Sequence, residues 1–418
     1  MNGAREMLRR RRAAQDETRE IRRGPSLYAP QRVLSLRSVR WFELDWHVLV
    51  IALILLALGM TFIHAMAQAD EMHQRERDAI NFGSHLKKVL ICLPVLVAAL
   101  AVRPRWLRRS AYAIYGGCIF LLLLVAVIGI SKNGAKRWIP TGVEFDLQPS
   151  ELVKIGLILA LARVLYRNRL QRLGDWGPPL LIALVPMGLV AKQPDLGTAL
   201  TMVPITLGML YLAGARASVL LRFILGAALL GLALWQFQIG VKGYQMQRID
   251  TWWNGFQAQD LIDSKNRAAF HSYQARVAIG HGGLLGTGLG DGVANQTGYL
   301  PERQCDSVFA VVAEESGWLG TVAILLLYVV MIALIMGSAG GIRDRFSRLA
   351  VGGIALYFAA HFFINISVNL GLIPMTGLTL PLFSTGGSSL LATFIALGLA
   401  LGLASHHEPS LDKDSFTT

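Results

Sequence analysis

The stretch Ser307–Met336, "SVFAVVAEESGWLGTVAILLLYVVMIALIM", decides the fold class. Its thirty residues are apolar apart from a few small polar groups and the adjacent carboxylates Glu314 and Glu315. As one helix it would run ~45 Å, against ~30 Å of bilayer hydrocarbon. Such a helix tilts strongly, or its first turns project into a polar cavity. The preceding segment, "TGYLPERQCD" (297–306), is polar and turn-like and ends in Asp306. Ionisable side chains in hydrocarbon are costly, which makes all three carboxylates functional candidates. The structural alternative is that Asp306 caps the helix and the glutamates pack through hydrogen bonds.

The rest of the chain agrees with a membrane setting. Of 418 residues, 53% are hydrophobic and 16% charged, where a soluble domain carries about 25% charged residues. Hydropathy marks ten spans at about 46–68, 86–103, 110–130, 148–166, 178–192, 197–214, 218–240, 307–336, 346–370 and 387–404. The expectation is an all-α polytopic membrane protein with about ten transmembrane helices. Residues 1–45 are expected to form a basic cytoplasmic tail, 46–404 the transmembrane domain with the 241–306 outer loop, and 405–418 a second cytoplasmic tail. The net charge of +13 follows topology, with basic residues gathered in the first tail and in the loops after spans 2, 4, 6 and 8. The positive-inside rule then puts both termini in the cytoplasm. That distribution speaks for membrane lipid and against nucleic acid as a partner. Cys92, Cys118 and Cys305 show no metal-ligand spacing and no disulfide framework. The first 45 residues lack the apolar core of a cleavable signal.

Further polar groups collect near the outer ends of the spans. In "KRWIPTGVEFDLQPSELVKIG" (136–156), Pro149 suits a first helical turn. Glu151 and Lys154 then share a face one turn apart, as a buried pair or as one that organises a site. In "KQPDLGTAL" (192–200), Asp195 is placed as an N-cap and also lies at the outer face. The stretch "NLGLIPMTGLTLPLFSTGGSSLLA" (369–392) carries two prolines, several glycines and a Ser/Thr cluster. It cannot continue as a helix, and is expected to fold back over the outer cavity. The longest outer loop, 241–306, has the length of a functional segment. Its "GTGLGDG" (286–292) lacks the strand-turn-helix setting of a dinucleotide loop and is expected to be flexible backbone.

Taken in order and spacing, "KRWI…QPSELVKI", "QPDLGTAL", "GHGGLLGTGL…YLPE…D…FAVVAEESGWLG" and "GLIPMTGLTLPLFSTGGSS" resemble the SEDS family of RodA, FtsW and SpoVE. The resemblance implies the SEDS fold and a glycosyltransferase that polymerises lipid II at the outer face of the cytoplasmic (inner) membrane, releasing undecaprenyl diphosphate. It places the essential aspartate at Asp306, the buried pair at Glu151 and Lys154, and the Gln-Pro-Asp aspartate at Asp195. It also implies lipid II and a growing glycan strand as partners, a class B penicillin-binding protein as transpeptidase, and other elongation or division complex proteins. Cys305-Asp306-Ser307 departs from the family's usual Thr-Asp-Phe, and 250–272 is atypical.

The chemistry suits these residue types. A β-1,4 link made from an α-linked diphosphate needs a base for the incoming hydroxyl, the role of Asp306. It also needs positive charge for the leaving diphosphate. Lys136, Arg137, Arg248 and Arg276 are the candidates, alone or with a divalent cation, Mg or Mn. Glu314 and Glu315 are expected to organise the helix beneath Asp306. A lipid II flippase and a non-catalytic scaffold for cell-wall enzymes are the alternatives. A flippase requires midplane charges reaching both sides, whereas here the polar groups gather on one side.

Overall fold

The computed structural model describes residues 33–34, 41, 44–73, 80–132, 135–142, 144–168, 170–236, 252 and 267–406. The expected tails therefore lie almost wholly outside the described residues, as do Arg248 and most of 237–266. In chain order the elements are α1 (Trp46–Met72), α2 (Phe82–Leu100), α3 (Pro104–Ile128), β1 (Ile130–Lys132), β2 (Ala135–Trp138), α4 (Pro149–Leu165), α5 (Gly177–Lys192), α6 (Leu196–Leu212), α7 (Ala217–Gln236), α8 (Arg267–His281), α9 (Val293–Thr297), α10 (Val308–Gly341), α11 (Arg345–Asn369) and α12 (Gly387–Ser405).

A helix stands at each of the ten expected spans. Seven apolar segments, Gly174–Lys192 among them, are long enough to cross a membrane by themselves. The four remaining elements belong to loops that the sequence pattern puts on the outer side. α8 and α9 occupy the long 241–306 loop, and the antiparallel β1–β2 hairpin is a small departure from the all-helical expectation.

The spans are not equivalent. α4, α11 and α12 are buried on nearly all sides, whereas α3 turns most of its surface outward. A helix apolar all round belongs at the centre of a bundle. In hydrocarbon, association depends on close packing rather than on exclusion of water. The contact of α12 with α2 illustrates this. A Cβ at Gly398 would come within 2.4 Å of the Leu96 carbonyl oxygen, and one at Gly402 within 2.4 Å of that of Leu100. Only hydrogen lets the two backbones approach so closely.

The long span α10 is broken. Gly317 sits at φ 66°, ψ −169° inside it, so the helix kinks one residue after Ser316. This corrects the expectation of one overlong helix. The break leaves backbone groups that need partners, and the 282–292 loop supplies them. Trp318 N–H donates to the Gly283 carbonyl at 2.9 Å and Leu319 N–H to that of Leu284 at 3.2 Å. In return Thr287 and Gly288 N–H donate to the Glu314 and Glu315 carbonyls, each at 3.1 Å. The "GTGLGDG" segment is thus an ordered insert and not flexible backbone.

Candidate active site

Asp306 stands just before α10, in a loop fixed on several sides. Its carbonyl oxygen accepts from Asn365 Nδ2 at 2.9 Å and from Asn369 Nδ2 at 3.0 Å. The Cys305 carbonyl accepts from Ser384 Oγ, and that of Gln304 from Thr385 N–H at 3.0 Å. Three residues earlier, Arg303 forms a buried ion pair with Asp70 at the end of α1. Arg303 also donates to the Asn295 carbonyl at 3.4 Å, and the other Asp70 oxygen accepts from Ile80 N–H at 3.0 Å. The Asp306 side chain is 12% exposed, with Oδ1 3.9 Å from His271 Nε2. That same nitrogen lies 2.6 Å from Ser307 Oγ. Burial and the Glu302 charge push the neighbouring Cys305 thiol up to about 12.

Beside this loop lies a cavity of about 490 Å³. Its walls come from α2 (Lys88), the segment before α4 (Trp138, Phe145, Gln148), Glu151 on α4, Gln304 and Cys305, and the 377–389 segment. The 371–386 stretch folds back into the protein as expected, with Leu378, Leu380, Leu382 and Phe383 buried. Tyr328 donates its hydroxyl to the Pro381 carbonyl, and Leu380 N–H donates to Ser384 Oγ at 2.9 Å. The Asp306 carboxylate abuts this wall at Gly377, whose Cβ position is 3.9 Å from Oδ2.

Glu151 and Lys154 pair at 2.8 Å on one face of α4, and the lysine is fully buried. Sequence reasoning missed the third member of this group. His361 of α11 brings Nε2 to 2.7 Å from Lys154 Nζ. Facing an ammonium donor, that nitrogen must be the acceptor. The ring hydrogen therefore sits on Nδ1, directed at the Thr379 carbonyl 3.4 Å away. Nothing in the spacing of the sequence signals a partner over 200 positions distant.

Asp195 proves to be more than a cap. Its side chain accepts from Thr198 N–H at 3.3 Å, from Gln148 Nε2 at 3.0 Å and from Ser150 Oγ at 3.2 Å. Arg137 Nη1 lies 3.6 Å away. The carboxylate therefore joins the starts of α4 and α6. The expected diphosphate contacts are differently employed. Arg137 donates from Nε to the Gln193 carbonyl at 3.0 Å and from Nη2 to that of Pro194. Lys136 donates to the Ala126 and Val127 carbonyls at 3.1 and 2.9 Å, closing the end of α3. Arg276 donates to Ser272 O at 3.4 Å and lays its stem against Gly371. None of these three lines the cavity; among the cations that the sequence did not single out, Lys88 does, half-buried and without a hydrogen bond or ion pair to a described residue.

Glu314 and Glu315 answer to the long loop rather than to the helix below Asp306. Glu314 accepts from Val293 and Ala294 N–H at 2.9 and 3.0 Å, which caps α9, and lies 3.1 Å from His281 Nδ1. Glu315 accepts from Asn295 Nδ2. Among the described residues, no three His, Cys, Asp or Glu side chains converge to hold a metal ion.

The chain as a whole has known relatives. The family model described as a cell cycle protein, covering FtsW, RodA and SpoVE, matches residues 45–409. The chain belongs to this family. A probable peptidoglycan glycosyltransferase FtsW from Trichlorobacter lovleyi is 32% identical over 88% of this chain and 95% of its own length. The peptidoglycan glycosyltransferase MrdB of Escherichia coli is also 32% identical, with the same coverage. Among solved structures, a chain described under "Structural coordination of polymerization and crosslinking by a peptidoglycan synthase complex" is similar with a TM-score of 0.73 and 30% identity, covering 87% of this chain and 98% of that one. RodA of Thermus thermophilus is similar with a TM-score of 0.64 and 28% identity over 88% of this chain and 99% of its own. As a member of the FtsW/RodA/SpoVE family, the protein is a multi-pass membrane protein.

Proposed function

We infer that this chain is a peptidoglycan glycosyltransferase that extends glycan strands from lipid II. The observation that carries the reading is the Asp306 carboxylate, fixed through its own backbone at the head of a broken span, next to Cys305 and Gly377 of the cavity wall though not itself lining the cavity. In this reading Asp306 takes the proton from the incoming sugar 4-hydroxyl as that oxygen attacks the anomeric carbon of the lipid-linked sugar. The bond to the diphosphate breaks with inversion, and undecaprenyl diphosphate leaves. A positioned carboxylate contributes ~10²–10⁴-fold to such a step.

Positive charge at the leaving group is assigned first to Lys88, because it faces the cavity while Lys136 and Arg137 are engaged with carbonyls. Arg276 and Arg248, considered from the sequence for the same diphosphate, are kept as secondary candidates for it. Three carboxylates line the cavity, Glu144, Asp146 and Glu151; Glu144 pairs with Lys87 and Glu151 with Lys154, which limits the repulsion of a diphosphate by those two. The divalent cation considered from the sequence has no ligand set of three His, Cys, Asp or Glu side chains among the described residues.

The reaction is placed at the outer face of the cytoplasmic membrane, with both termini inside, on the strength of the positive-inside pattern. A class B penicillin-binding protein is the proposed transpeptidase partner, within an elongation or division complex. The test is polymerisation of lipid II by purified protein together with its cognate transpeptidase. The parent should make glycan, whereas Asp306→Ala and Asp306→Asn should fold, reach the membrane and make none. Normal polymerisation by either variant removes Asp306 as the base. Translocation of lipid II without polymerisation by the parent would favour a flippase instead.

A further inference from the structure

One face of α11 carries His361, Asn365 and Asn369 at a spacing of four, so their side chains stack along a single line. Their exposures are 0%, 1% and 1%. Three amide or imidazole groups buried inside a membrane bundle are costly unless each is bonded. Their partners are what single them out. Asn365 Nδ2 uses both hydrogens, on the Asp306 carbonyl at 2.9 Å and the Leu378 carbonyl at 2.7 Å. Asn369 Nδ2 donates to the Asp306 carbonyl at 3.0 Å and to Asn365 O at 2.9 Å. His361 lies beside the Thr379 carbonyl at 3.4 Å and accepts from Lys154 at 2.7 Å.

Every acceptor outside α11 therefore belongs to Asp306 or to a cavity-wall residue, Leu378 or Thr379. Lys154, the donor to His361 among the described residues, is bound to a further wall residue, Glu151. A helix is stiff over two turns, and it here fixes the separation between the Asp306 backbone, the folded-back segment and the Glu151–Lys154 pair. The Asp306 carbonyl lies outside the helical ladder of α10, whose first bonds go to Ser307 O.

We propose that His361, Asn365 and Asn369 form a positioning spine that sets the Asp306 carboxylate against the cavity, so that turnover depends on the spine while lipid II affinity does not. The proposal rests on Asp306 as the base. A shift of about 1 Å in a reacting group costs on the order of 10²-fold in rate, whereas a bundle that is merely less stable loses active molecules without changing either constant of those that remain.

The test uses full-length protein with its transpeptidase partner and follows kcat, lipid II Kd and the thermal midpoint together. Asn365→Ala and Asn369→Ala should each lower kcat by about 10- to 100-fold, with Kd within about twofold of the parent. His361→Gln should retain most of kcat, because its carbonyl can accept from Lys154 and its amide can donate to Thr379 O. His361→Leu should not. Should Asn365→Ala fail to fold, Asn369→Ala decides, since it removes one of the two bonds that orient the Asp306 carbonyl and leaves the Asn365 bond to the Leu378 wall intact. Parent-like kcat per folded molecule in Asn369→Ala, or a rise in Kd that matches the fall in kcat, overturns the spine. An active Asp306→Asn measured alongside would overturn the base assignment, and the spine with it.

Discussion

Lys154 is fully buried between a carboxylate and an imidazole, and each neighbour limits what can replace it. Lys154→Ala strands Glu151 as an unpaired buried charge, at about 3–5 kcal/mol. A large fall in the thermal midpoint in detergent is therefore expected; a parent-like midpoint would show that the pair does not hold the fold. Lys88 makes the opposite prediction, because it makes no hydrogen bond or ion pair to a described residue. Lys88→Gln should leave the thermal midpoint unchanged and weaken binding of lipid II and undecaprenyl diphosphate alike; unchanged affinities for both would remove it from the site. At Cys305, burial and Glu302 push the thiol up to about 12. The thiolate is the reactive species, so at pH 8 the residue stays protonated and alkylates slowly. Its labelling rate should still be rising above pH 10, where an ordinary thiol has levelled off, as followed by mass spectrometry against Cys-free controls. Glu151, Lys154, Asp195 and Asp306 were legible as candidates because charge in an apolar context is conspicuous. His361 and the two asparagines were not, since an uncharged polar residue in a span raises no comparable signal.

The break in α10 explains why two glutamates follow one another inside an apolar span. Glu314 holds α9, Glu315 holds Asn295, and their carbonyls receive the inserted glycine loop. Gly317 makes this possible. Its φ is +66°, and a Cβ there would lie 2.2 Å from Gly286 N. Gly317→Ala is thus strained twice over, by backbone conformation and by contact with backbone that cannot move aside. A destabilisation of about 1–3 kcal/mol or more is expected, read as a lower thermal midpoint and faster proteolysis within 282–298. Parent-like stability would mean that the kink can relax. The apolar run itself predicted a membrane helix and could not predict its break. Gly-Trp-Leu-Gly inside a span is compatible with a continuous helix, and the decision lies in backbone bonds to a loop some thirty positions earlier.

Across the whole molecule, the same bundle that centres α4, α11 and α12 also joins its two ends. On the side expected to face the cytoplasm, Arg108 pairs with Asp344 at 3.3 Å, and Arg345 donates to the Asn168 and Ala213 carbonyls, each at 3.1 Å. On the other side lie the cavity, the hairpin and α8–α9. The orientation can be tested by thiol labelling. Asn295 is fully buried, whereas Tyr299 is 65% exposed. In a Cys-free background Tyr299→Cys should react with an impermeant reagent in intact spheroplasts. Labelling only after lysis would reverse the topology and remove the proposed mechanism. The number of spans, their order and the location of the charged candidates were determined by the sequence alone. Hydropathy is a local property, and a charge in an apolar run is conspicuous wherever it occurs. The tertiary structure alone decided which of those charges meet. It turned Arg137 and Lys136 toward carbonyls and Lys88 toward the cavity, and it placed an uncharged line of α11 behind Asp306. Those outcomes depend on side-chain directions and on helix contacts between residues far apart in the chain, where the remaining polar groups of a dry bundle must find partners.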